Sequence, residues 1–168
     1  TISLTNSGTA PSGRDLSGIS SNTSRDIDAF GKVGKQAIGD LDVVGDGKTL
    51  FATNLNTREL VRVDGLDTLT PTQSSYALPG SVTCLGGVND RRMFGLGTRR
   101  VAGALKVYVG ITCTGETRYL DSDLASYVIE FDVATNTWGS SVLSIPHNYA
   151  KGCALYSSAG VYLGCTWK

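Results

Sequence analysis

Asp40, Asp42 and Asp46 crowd one short stretch of this chain, and Asp121 and Asp123 form a second Asp-x-Asp further on. Carboxylates so spaced could gather round calcium, a hard cation that takes oxygen ligands. Residues two apart on a strand share a face, so each pair could project together. The twelve-residue calcium-loop pattern is missing, and the competing reading is turn capping with hydrogen bonds to backbone amides. Gly45-Asp46-Gly47-Lys48-Thr49 hints at a phosphate loop. That loop needs another glycine where Asp42 stands, and a helix after it. A second apolar strand follows instead, so the stretch reads as a hairpin turn. His147 is the single imidazole and sits in a loop, Ile145-Pro146-His147-Asn148-Tyr149. A hydrolase would need a serine or cysteine beside it and an orienting carboxylate, and no Gly-x-Ser-x-Gly elbow occurs. Glu116 and Asp121 could serve glycoside hydrolysis only at a defined separation. Tyr108, Tyr119, Tyr127, Tyr149, Tyr156, Tyr162, Trp138 and Trp167 could form a sugar-binding surface. Most lie at strand positions, where core packing is the default. Tyr119, in a polar insertion, is the exception and the candidate ligand contact. No catalytic or cofactor-binding set emerges, and the chain reads as a non-enzyme.

The elements that would carry these residues repeat. Leu50-Phe51-Ala52-Thr53-Asn54, Val107-Tyr108-Val109-Gly110-Ile111 and Val161-Tyr162-Leu163-Gly164-Cys165 share one pattern. Aligning Phe51, Tyr108 and Tyr162 gives spacings of 57 and 54. Periods of this size mark solenoids, propellers or arrays, in which each unit buries its face on a neighbour. The first unit reads as strands over 38–44, 50–55 and 59–64 with tight turns, an antiparallel meander. The second has strands over 92–96, 105–112 and 126–132, a fourth from Trp138, and the insertion 114–124. A last hairpin over 153–166 begins a third unit. Residues 1–37 read as a short strand followed by a long polar loop.

Such meanders match propeller blades. The expected fold is all-β: a partial β-propeller of about two and a half to three blades. Blade 1 spans 38–80, blade 2 spans 81–146 and the start of blade 3 spans 147–168, in one domain. Closing a propeller takes roughly four to eight blades. Apolar sheet faces left open at the ends need covers, either further blades of a larger protein or other copies of the chain.

Composition agrees with strands and turns: 21 glycines, 18% charged residues and no long Ala/Leu/Glu/Lys runs. The formal charge is zero, which argues against a nucleic-acid partner. The basic pairs Arg91-Arg92 and Arg99-Arg100 read as solvated turns, with a local anion site as the minority reading. No apolar run reaches the roughly 20 residues that span a bilayer. Without a starting Met or signal peptide, the chain begins after processing or is an excerpt. Cys84, Cys113, Cys153 and Cys165 include no Cys-x-x-Cys pair, which disfavours zinc. An even count suits two disulfides in an oxidising compartment, and four buried cytosolic thiols are the alternative. Asn22-Thr23-Ser24 is a glycosylation sequon, Asn22 being the acceptor.

The run from Gly39 to Asn54, GDLDVVGDGKTLFATN, resembles the strand–turn–strand repeat of YVTN-type propellers. More closely it is similar to the propeller segment of large bacterial surface proteins that carry SD-repeat B-like modules. The resemblance continues in order through Gly110–Thr117, Asp123–Asp132 and Asn148–Ala154, with Ala150 where the pattern has proline. It implies an extracellular multi-blade module within a longer surface protein, with no known enzymatic activity. It also implies a Cys84–Cys113 disulfide, since the pattern has a cysteine in each place, and Cys153 and Cys165 then pair by default. The leading expectation is a structural or adhesive module that joins subunits. The alternatives are a glycan- or calcium-binding propeller module and a fragment of a lactonase-like propeller enzyme, whose channel metal would polarise substrate.

Overall fold

The computed structural model describes Ser7, Gly8 and residues 32–147, apart from the side chain of Asp121. Asn22, Cys153, Cys165 and the third unit lie outside the described residues. Within them the chain forms two four-stranded antiparallel sheets and no α-helix. The first contains β1 (Ile38–Val43), β2 (Thr49–Asn54), β3 (Glu59–Asp64) and β4 (Thr72–Ala77) in sequence order. The second contains β5 (Arg91–Val101), β6 (Ala104–Cys113), β7 (Ala125–Asp132) and β8 (Thr137–Pro146), also in order.

Local chemistry sets the hairpins. At the β1–β2 turn Gly47 takes φ +69°, and the Asp46 carboxylate accepts the Lys48 N–H at 2.9 Å. This is a turn between strands, with no helix N-terminus to cradle a phosphate. At the β2–β3 turn the Asn54 side chain accepts the N–H groups of Asn56 and Thr57, an Asx turn that bends the chain locally. Arg58 closes it with φ +60°, a left-handed conformation that an arginine rarely adopts.

Two expectations are corrected. The first unit has four strands rather than three, because the polar run Thr72–Ala77 pairs along all of β3. The first strand of the second unit runs from Arg91 to Val101, not 92–96, because Gly97 through Val101 pair with β6 despite carrying little apolar pattern.

Residues directly opposed across a ladder share a face. Asp42, Phe51, Arg62 and Ser74 form one row of the first sheet, and Leu60 stands with Tyr76 in the next. In the second sheet Val107, Phe131 and Trp138 form one row, and Leu96, Val109 and Ile129 another. These two faces meet in one core of Phe51, Leu60, Met93, Val107, Val109, Ile111, Ile129 and Phe131, with Tyr76 and Trp138 packed at its edge. The Phe131 ring lies 4.7 Å from Tyr76 and 5.0 Å from Trp138 between centroids.

The sheets stack first strand over first strand. Asp40 accepts the Leu96 N–H at 2.9 Å. Asp42 accepts both the N–H and the hydroxyl of Thr98 at 2.8 Å. Gly39 makes this approach feasible: a Cβ there would collide with the Met93 carbonyl and stand 2.7 Å from Thr53 Oγ1. At the opposite edge, the Trp138 Nε1–H donates to the Ala77 carbonyl at 2.7 Å, and the Tyr76 hydroxyl to Asn136 at 2.9 Å. Both edges of the stack are therefore tied by directional bonds as well as by apolar contact. On its other face the first sheet is also buried at Ala52, Val61 and Val63.

Candidate functional site

The second sheet turns its other face outward, and that face is the first candidate site. Gly95, Gly110, Val128 and Leu143 form one row across it, and Thr112, Ser126 and Ile145 another. Leu143 is 48% exposed and Ile145 is 42% exposed, beside Val142 in the bulge of β8. Gly95, Gly97 and Gly110 flatten the β5–β6 half of this face, while β7 and β8 supply the apolar relief.

The repeat gives that geometry a direction. Phe51 and Tyr108 hold the same place in the repeat, on the second strand of each sheet. Phe51 points toward the second sheet and is fully buried. Tyr108 stands opposite Gly97 and Glu130, on the face turned away from the first sheet. The surface that the first unit buries against the second is thus the one the second unit presents outward.

A polar network borders the apolar rows. Lys106 Nζ lies 2.7 Å from Asp132 and 3.0 Å from Glu130, and the Tyr108 hydroxyl donates to Glu130 at 3.0 Å. The hydrogen bond from Lys106, then that from Tyr108, holds the Glu130 carboxyl below its ordinary pKa. Lys106 likewise depresses Asp132, helped by the Ala134 N–H. Bonds to Asp132 and Glu130 raise the Lys106 ammonium, and the bond to Glu130 raises the Tyr108 phenol. A carboxylate depressed on folding stabilises the fold above its unfolded pKa and loses that contribution as pH falls through the folded one. The advantage of wild type over Lys106→Met in urea denaturation is therefore predicted to hold at neutral pH and to shrink as pH drops below about 4. An unchanged difference at acid pH would show that the network is not coupled to folding.

Sequence reasoning did not find this network, because it depends on cross-strand register; spacing along the chain does not reveal it. The same holds for Ser126, whose Oγ lies 2.8 Å from His147 Nε2. The contact has the distance of a nucleophile and its base. Here it bridges the start of β7 to the residue that follows β8.

The second candidate region is the end of the stack where β1, β3, β5 and β7 begin. The loop 78–90, the β2–β3 turn and the insertion 114–124 converge there. Cys84 and Cys113 stand at disulfide distance, Cα–Cα 5.4 Å, the pairing that the resemblance implied. Beside them Asp90 is fully buried, and its carboxylate takes both the N–H and the hydroxyl of Thr117. Gly86 leaves room for that carboxylate, which a Cβ would strike. Arg92, 4% exposed, pairs with Glu116, whose other oxygen holds Lys35 at 2.7 Å.

The aspartates proposed for calcium are engaged in these frameworks. Asp40 and Asp42 share a face as anticipated, but their carboxylates accept backbone N–H groups of β5. Asp46 caps its turn. Asp123 is buried against Arg118, 3.3 Å away, and the side chain of Asp121 lies outside the described residues. Among the described residues no three His, Cys, Asp or Glu side chains are placed to share an ion. Tyr119 is 87% exposed in the insertion, at φ +57°. Among the described residues no helix is long and apolar enough to cross a membrane. Compared with known proteins, the chain matches no family model, no curated protein and no solved structure.

Proposed function

We propose that this chain is a non-enzymatic, extracellular structural module, two blades and the start of a third from a β-propeller, that works by joining further units. The observation that carries the reading is the apolar row that the second sheet leaves open on its outward face. There Val142, Leu143 and Ile145 are about half exposed, as Leu41 and Val43 are on the far face of the first sheet. The second sheet's outward face corresponds, through the repeat, to the one the first unit buries on the second. A heterologous contact of this kind generates a ring if its rotation closes and a filament if it does not. The cover is a further blade of the same array, from a longer chain or from another copy. The disulfide-distance pair supports an oxidising compartment, and adhesion or surface attachment follows from the same reading.

Sedimentation velocity tests the joining role. The chain is expected to associate in a concentration-dependent way, and Leu143→Arg, placing a charge in the centre of the apolar row, to remain a monomer with an unchanged melting temperature. A wild-type chain that stays monomeric at every soluble concentration, or a variant that associates equally well, would refute it.

A further inference from the structure

The charged end of the stack carries a second site, independent of the assembly face. Arg58 from the β2–β3 turn and Arg92 from the start of β5 both donate to Asn89, and Arg58 depresses the pKa of Arg92 and of its neighbour Arg91, after the larger effect of burial. Of the three, Arg92 is neutralised by Glu116. Arg58 and Arg91 have no carboxylate within salt-bridge distance among the described residues, neighbouring Glu59 included. Their Nη groups donate to neutral acceptors only: Arg58 to Asn89 Oδ1, Arg91 to the carbonyls of Pro79 and Val82. Their Nε–H groups are closed off from solvent with no acceptor. Among the described residues no carboxylate supplies their counter-charge, which leaves the solvent side open to an anion. Guanidinium groups are suited to that task, since their planar forks match oxyanions.

Three further observations shape the ligand. Arg91 borders a shallow cleft of about 150 Å³ lined also by Gly80, Val82, Thr83, Cys84 and Val88, room for a single oxyanion group. Arg58 holds an unfavourable left-handed backbone conformation, of the kind kept where a side chain's position has a use. The insertion leans on the same loop, through Arg118 donating to the Leu85 carbonyl, and carries the exposed Tyr119 next to that arginine. An exposed aromatic ring on the insertion, at the same end of the stack as two guanidiniums without a carboxylate partner, suits a sugar that bears a carboxylate or a sulfate. The ring takes the apolar face of the sugar and the arginines take its charge.

We infer that Arg58, Arg91 and Tyr119 form a binding site for an acidic saccharide. Calorimetric titration tests it with four probes: oligogalacturonate, a sulfated heparin tetrasaccharide, free sodium sulfate and neutral maltotetraose. Saturable binding of either acidic saccharide is expected, tighter than sulfate alone, with none to maltotetraose; which one binds identifies the acid. Arg58→Asn is expected to weaken binding about tenfold, the loss of one charge-assisted hydrogen bond. Asparagine tolerates the left-handed conformation, so the melting temperature should hold or rise. Arg58→Lys, keeping the charge without the fork, should fall between. Tyr119→Ala should weaken the saccharide several-fold and leave sulfate unchanged. No binding of either acidic saccharide, equal binding of sulfate and saccharide, or full affinity in both Arg58 variants would overturn the assignment. Since none of these residues lies on the outward face of the second sheet, failure here leaves the sedimentation result unaffected, and the reverse.

Discussion

Replacing Phe131 by alanine is expected to lower the unfolding free energy by about 3–5 kcal/mol, the largest loss of any single side chain here. Phe131 is fully buried where the two sheets meet. Its ring touches Tyr76 of the first sheet and Trp138 of the second, so truncation removes apolar burial and two aromatic contacts together. The cavity would open between two sheets held along their edges by the Asp40, Asp42 and Trp138 bonds, and such a frame collapses poorly onto a void. Thermal melts followed by circular dichroism read the effect as a fall of about 10 °C or more. Leu143→Ala, on the exposed face, is the control and should shift the midpoint little. Equal, small shifts for both variants would mean that the sheets do not share a core.

The second large effect concerns the charged end. Removing the cross-link with Cys84→Ala and Cys113→Ala together is expected to cost about 3–4 kcal/mol. The two cysteines are 29 residues apart, so the link closes a loop containing the segment before β5 and all of β5 and β6. That loop carries Asp90 and Arg92, whose buried charges rely on Thr117, Asn89 and Glu116 being held in place. Cys113 is itself 1% exposed, and its loss adds a small void. Urea unfolding with and without reductant checks the prediction, alongside peptide mapping to show that Cys84 and Cys113 are joined. Wild type in reductant should then unfold at a lower urea concentration than oxidised wild type. Free Cys84 and Cys113 thiols in the native chain, or identical midpoints, would contradict it.

Much of the fold was legible because it rests on local pattern. Ser126 to Asp132 alternates, and it is a strand with Ile129 and Phe131 inward. Leu60 and Arg62 do face opposite to Val61 and Val63, as their alternation required. Thr72–Ala77 escaped because an edge strand of a sheet needs few apolar residues: only Gln73 and Tyr76 are even partly covered. The far half of β5 escaped because Gly97 to Arg100 pair through the backbone while their side chains add no hydrophobic signal. Tyr108 was expected as core by its aromatic character. It lies instead on the outward face with its hydroxyl on Glu130, because the strand's alternation places Val107 and Val109 inward.

The candidate sites were less legible, for a physical reason. The Asp40 and Asp42 carboxylates looked like a cation site from their spacing. Their use, accepting N–H groups from a strand 56 residues away in sequence, exists only once two sheets have docked. Arg91-Arg92 announced charge but not its company; Arg58, from another hairpin, shares Asn89 with Arg92.

A cryo-electron microscopy map of the associated species tests the blade reading most directly. Sheets arrayed radially are expected, β1 and β5 nearest the axis, with a third sheet seated on the row of Gly110, Val128 and Leu143. A compact two-sheet sandwich, with that row facing open solvent in every particle, would contradict it.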